Sequence, residues 1–207
     1  MVWDPYAEFQ SATLPNGLTV YAAHWPMRPW ENVRFLVHSG AERDPIGFEG
    51  TAHFVEHLVS KNTPIPYQDI KVFFEDQGGS VELGATGYPF TSYRFLAPTD
   101  KMIMTKAFSL FGEMLFSSKL ENFIERERQV IIGEFNRKYP LKLDLDIETR
   151  WRKSLYDGYR MKNSVLGTPE SIKRISRNEL QSYYDTYYTP ANMSIVCVGG
   201  MTLAEIM

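Results

Sequence analysis

Residues from about Gly50 to about Ser60 carry a helical pattern with an unusual polar side. At about 100° per residue, Phe54, Val55, Leu58 and Val59 fall on one side, and His53, Glu56, His57 and Ser60 on the other. The apolar side demands a core, so this is a core-facing helix whose remaining face holds two imidazoles and a carboxylate. His53 and His57 stand at i and i+4, where two ring nitrogens can converge on one cation, and Glu56 stays within reach of the same point. Zinc sites that do chemistry take three protein ligands and keep a position for water. The pentad thus offers two ligands and a candidate base. By composition such a pentad arises by chance roughly once in a few hundred chains of this length, so it needs support from elsewhere in the chain.

Residues 120–139 read as a helix that gives such support. Phe123, Val130, Ile131 and Phe135 define its apolar stripe, and Glu127 and Glu134 fall on that stripe, nearly in line. Glu125, Arg128, Gln129 and Asn136 fall largely outside it. Carboxylates on an apolar face are costly unless paired, hydrogen-bonded or bound to a cation. Two readings stay open at this point. One of the glutamates completes a zinc site with His53 and His57, imidazole and carboxylate both being suitable ligands. Otherwise the pair is held in buried salt bridges to Arg126, Arg137 or Lys138.

The remaining pattern predicts an α+β fold, a mostly antiparallel sheet with helices packed on one face. A hairpin is expected over residues 13–24, turning at Pro15-Asn16-Gly17. Further strands are expected at 33–38, 80–85, 91–97 and 193–198. Helices are expected at 67–77, stopped by Gly78-Gly79, and at 100–117, 145–156 and 177–188, with a short helical turn at 169–175. At 207 residues and 43% hydrophobic content the chain can build one sizeable core, and residues 1–207 are read as a single domain. A net charge of −3 argues against a nucleic-acid surface. No signal peptide and no membrane-length apolar run is visible, so the expected location is cytoplasmic and no membrane partner is expected. The single cysteine, Cys197, lies in an apolar run and reads as a buried small hydrophobe. The clustered Tyr183, Tyr184, Tyr187 and Tyr188 read as core packing.

His53-Phe54-Val55-Glu56-His57 is the inverted zinc motif of the inverzincins. The chain resembles the N-terminal half of the pitrilysin/insulysin-type zinc metallopeptidases, the group that includes mitochondrial processing peptidase. That family carries its third zinc ligand, a glutamate, at the distance after the second histidine where Glu134 stands here. It carries a supporting glutamate at the place of Glu127. Ser39–Asp44, Lys61-Asn62-Thr63, 163–170 and 187–193 also resemble family segments, and the resemblance covers nearly all of residues 13–200.

The resemblance implies one Zn²⁺ on His53, His57 and Glu134, with Glu56 as general base and Glu127 orienting a ligand histidine. It implies an endopeptidase acting on peptides or short unfolded polypeptides in extended conformation, laid beside an edge strand. It also implies a partner, a second half-domain or subunit that closes over the cleft. Two departures stand out. After Gly78-Gly79-Ser80-Val81 comes Glu82-Leu83 where the family usually has an Asn-Ala pair, and the stretch to Thr91 is one residue longer. The second half is also absent from the chain. Two other functions are weighed against this one. The chain could serve as a substrate-binding or partner half that does no chemistry alone. It could also be an enzyme like S-ribosylhomocysteine lyase, which shares H-x-x-E-H but uses cysteine as third ligand, for which Cys197 is the sole candidate.

Overall fold

In the computed structural model, residues 9–207 are described. Six strands form one mixed, mostly antiparallel sheet: β1 (Phe9–Thr13), β2 (Thr19–His24), β3 (Trp30–Val37), β4 (Ser80–Thr86), β5 (Thr91–Pro98) and β6 (Met193–Gly199). Their order is β1-β2-β6-β3-β5-β4, with β2 and β6 parallel and the other pairs antiparallel. The hairpin turn at Pro15-Asn16-Gly17 joins β1 to β2 as expected, with Gly17 at φ +90°. Insertion of β6 between β2 and β3 brings the chain's end into the middle of the sheet.

The strands alternate as a one-sided sheet must. In β3, Val33, Phe35 and Val37 are buried while Asn32 and Arg34 face out. The helices are α1 (Thr51–Lys61), α2 (Tyr67–Asp76), α3 (Lys101–Phe116), α4 (Ile124–Lys138), α5 (Lys142–Tyr156), α6 (Pro169–Arg174), α7 (Arg177–Tyr187) and α8 (Leu203–Ile206). At the core, Phe74 and Phe111 each lie 5.0 Å from Phe95 between ring centroids, which ties α2 and α3 to β5. Tyr183, Tyr184 and Tyr188 are buried, as their clustering suggests. No helix among the described residues is long and apolar enough to cross a membrane.

Two expected helices start away from their sequence pattern, α4 later and α5 earlier. α4 begins at Ile124, not near residue 120, and α5 at Lys142, not 145. Leu120 is buried in a turn, and Phe123 takes a left-handed φ of +65° before the first helical residue. The stripe assigned to α4 is corrected as well. Phe123 and Val130 are exposed, and the buried residues are Glu127, Arg128, Ile131 and Phe135. Arg128, expected outside the stripe, is buried because its guanidinium donates to the carbonyls of Ile172 and, at 3.0 Å, Ile175, and packs 5.2 Å from the Phe54 ring. Five fixed donors let arginine absorb orphan carbonyls at the end of another helix. The effect is to fasten α4 to α6 beside α1, with both glutamates turned toward α1.

Candidate metal centre

The metal helix is set by its entry. Gly50 sits at φ +95°, a conformation that favours glycine, and a Cβ there would come within 2.6 Å of Ile172 Cδ1 and 2.9 Å of the Leu166 carbonyl. Asp44 accepts from the amides of Gly50 and Ala52, each at 2.7 Å, satisfying two of the donors a helix start leaves orphaned. Burial pushes the Asp44 carboxyl up to about 7 against those two hydrogen bonds. Phe54, Val55, Leu58 and Val59 are fully buried, and so, nearly, are the polar residues: His53 and Glu56 are each 8% exposed. The face carrying the histidines is therefore an internal one, not a solvated surface.

His53, His57 and Glu134 converge. Glu134 Oε2 lies 3.6 Å from His53 Nε2 and 3.5 Å from His57 Nε2, and one ligand atom from each of the three lies within 4.8 Å of the others. This is the only cluster of three such ligands among the described residues. The competing reading, a salt bridge to Arg137, exists only as a 3.8 Å contact from an exposed guanidinium to the other carboxylate oxygen.

Glu127 lies on the far side of His57. Its Oε2 is 3.0 Å from His57 Nδ1. A carboxylate can only accept, so the proton belongs on Nδ1 and the lone pair on Nε2, facing Glu134. His53 is pushed down to about 3 by burial and by the neighbouring His57, which favours the neutral imidazole that could serve a metal. Its Nδ1 is buried without a partner. The donor set, two imidazoles and a carboxylate whose ligand atoms gather at one point, fits a zinc ion.

Glu56 faces the same cavity of about 510 Å³, lined also by Thr86 and Leu166. It accepts from Thr86 Oγ1 at 3.0 Å, a partner not anticipated from the sequence, and burial pushes its carboxyl up to about 7. A cation at the cluster would oppose that rise. Glu56 packs onto the edge strand at Gly84, where a Cβ would lie 2.0 Å from its Oε1. Gly84 also has a φ of +148°, at the edge of the range that favours glycine.

The extra residue noted before Thr91 is absorbed here. Glu82 pairs with Arg94 and Ala85 with Ser92, so Leu83 and Gly84 stand opposite Tyr93 alone, a β-bulge. The bulge makes the room Glu56 occupies. Cys197 takes no part: it is buried in β6, in register with Ala22 and Val33, and burial holds its thiol well above the ordinary range. A larger cavity of about 770 Å³ lies on the open sheet face around Trp25, Trp30 and Val198, and its lining has no His, Cys, Asp or Glu.

Comparison with known proteins agrees with this geometry. The family described as Insulinase (Peptidase family M16) matches residues 19–169, which hold His53, Glu56, His57, Glu127 and Glu134. The chain belongs to that family. The family described as Peptidase M16 inactive domain matches residues 174–207, which contribute none of them. This M16 chain is 30% identical over 200 residues to the mitochondrial-processing peptidase subunit beta of Neurospora crassa, covering 96% of this chain and 41% of that protein. It is 25% identical to an uncharacterized zinc protease of Mycobacterium leprae, over 94% of this chain and 43% of that one. The first half of the periplasmic protease PqqL from Escherichia coli superposes with a TM-score of 0.82 at 25% identity, covering 96% of this chain and 44% of that one. The chain thus spans less than half the length of the curated relatives it matches. Membership in M16 and a cluster completed by Glu134 leave no place for the cysteine-ligated lyase reading.

Proposed function

We propose that residues 1–207 form the metal-binding half of a zinc endopeptidase that hydrolyses extended peptides or short unfolded polypeptides. The observation that carries this reading is the meeting of His53, His57 and Glu134 at one point with Glu56 beside it. His53 and His57, through Nε2, and the Glu134 carboxylate would hold the ion. Bound zinc supplies a Lewis acid that polarises the scissile carbonyl and makes water a stronger acid. Glu127 fixes the ring of His57 and its tautomer. Glu56, held by Thr86, takes the proton from the attacking water and returns it to the leaving amine. The peptide adds to β4, which among the described residues pairs with β5 alone and leaves its other edge open beside Glu56.

A second half, on another chain or joined to this one, closes the cleft in this reading. Support comes from relatives named as a subunit and as a first half, each more than twice the span matched here. Zinc content and peptide hydrolysis of the wild type and Glu56→Gln, with and without a candidate second half, test the proposal. Both proteins should hold one zinc, and only the wild type should hydrolyse peptide. A chain that binds no zinc sinks the reading, and a Glu56→Gln enzyme with the wild-type rate removes Glu56 as the base.

A further inference from the structure

Beside the metal cleft, between α1, α2 and β4, lies a second cavity of about 440 Å³. It shares Glu56, His57 and Gly84 with the metal cleft. Successive side chains of an extended peptide point to opposite faces. A peptide lying on β4 with its scissile bond at Glu56 therefore presents a neighbouring side chain to this cavity. The cations on its lining are Lys61, Lys71 and Arg94, and the acids are Glu56 and Glu82.

Every carboxylate in reach is already committed. Glu82 accepts from Arg94 Nε at 3.0 Å. Glu56 accepts from Thr86 and faces the metal ligands. Glu127, whose charge acts on Lys61 from behind, is turned to His57. Glu75 meets Lys71 only at 4.0 Å and is mostly exposed. Lys61 has no carboxylate within 4 Å among the described residues, and its ammonium lies 3.3 Å from the centroid of the Tyr67 ring. Its charge is disfavoured first by burial and then by neighbouring cations, Lys71 among them. Two ammonium groups thus face one cavity that offers them no free anion, at the point where a substrate side chain would enter.

We propose that this cavity is a subsite for a carboxylate next to the scissile bond, with Lys61 and Lys71 as the specificity-determining pair. The proposal rests on the peptidase reading and adds the substrate class: peptides with Asp or Glu at that position, or with a free C-terminal carboxylate reaching the same place. Arg94 contributes less, being neutralised by Glu82. The two lysines act on the substrate by charge, without taking part in bond cleavage.

The test uses the full chain as zinc-loaded Glu56→Gln, so that peptides bind without being consumed. Fluorescence anisotropy is read for C-terminally amidated peptides differing only in Glu, Gln or Lys at one position, and for a shortened peptide ending there in a free carboxylate. A carboxylate peptide should bind about fivefold tighter than its Gln counterpart, the magnitude expected of a partly exposed ion pair, and the gap should shrink in about 0.5 M salt. Preference for internal Glu and preference for the free terminus both support the subsite and identify its source. Lys61→Glu should reverse the order of Glu and Lys peptides. Lys71→Glu, on the more exposed α2, should do so more weakly and serves if Lys61→Glu does not fold. Equal binding of all peptides, or a preference that survives both charge reversals, overturns this inference and leaves the peptidase reading standing. Binding of no peptide at all, with or without a candidate second half, overturns both.

Discussion

Helices α1 and α5 look alike as patterns and end in opposite places. Each runs three to four turns and carries four large apolar residues at helical spacing. In α1 those residues, Phe54, Val55, Leu58 and Val59, are fully buried, and the polar face is buried with them. In α5 no residue is buried, and Leu143, Ile147, Trp151 and Leu155 are each more than half exposed. α5 touches the rest of the molecule through its polar side, where Glu148 accepts from Lys138 of α4 at 3.3 Å and Arg152 donates to the Met161 carbonyl at 3.3 Å and lies 5.3 Å from the Tyr88 ring. An apolar stripe states that a helix can be covered; which helix is covered depends on what the chain folds against it. For α1 the cover is the sheet, α4 and α7, and the histidines drawn inside meet Glu134.

The contrast is tested most severely by Phe54→Ala. Removing a fully buried ring that also supports Arg128 should cost about 3–5 kcal/mol by chemical denaturation. A cost below about 1 kcal/mol would mean that α1 is not the packed element described here. The next largest effect is expected at Glu127→Gln. Replacing the carboxylate on His57 should weaken zinc binding about 10- to 100-fold in competition with a chelating dye, while the fold is retained. Unchanged affinity would show that His57 needs no orienting partner.

A smaller effect belongs to the entry of α1. Asp44→Asn should cost about 1 kcal/mol near neutral pH, since one of two capping hydrogen bonds is lost. The cost should also depend on pH. Burial raises the Asp44 carboxyl in the folded state from 3.8 to about 7, so the folded protein holds this proton more tightly than the unfolded chain. The stability so gained is fully present below about pH 4 and lost as the pH rises through about 7. The melting-temperature gap between wild type and Asp44→Asn should therefore narrow from pH 4 to pH 8, and a gap that widens over this range contradicts the assignment.

The clustered side chains were legible because each broke a local rule. Imidazoles and a carboxylate shared a helix with a core-facing stripe, and two glutamates sat where α4 had to be apolar. Which glutamate meets the imidazoles was not legible from periodicity, since both lie on one stripe; it depends on the axial offset of α4 against α1, a tertiary quantity. The buried Arg128 was missed for the same reason: its partners, the carbonyls of Ile172 and Ile175, are defined only once α6 is in place. The hairpin and most helix spans follow from turn residues and spacing. The strand order does not, because β6 enters between β2 and β3 from the far end of the chain. The bulge at Leu83-Gly84 left one trace, an extra residue before Thr91, without showing that its purpose is to seat Glu56.

The smallest expected effect is the sharpest test of α5. Ile147→Ser and Trp151→Ala remove side chains that are more than half exposed from a helix with no buried residue, so each should shift unfolding stability by no more than about 0.5 kcal/mol. The same kind of change in α1 should be several-fold more costly, because there the side chain leaves water completely on folding. Neither substitution removes the Lys138–Glu148 ion pair or the hydrogen bond from Arg152 to the Met161 carbonyl that tie α5 to its neighbours, and Trp151→Ala gives up only the 5.7 Å approach of Arg152 to the indole. A loss above about 2 kcal/mol at either position would therefore require the stripe to be covered when the single chain folds, and the two helices would then cease to differ in the way described.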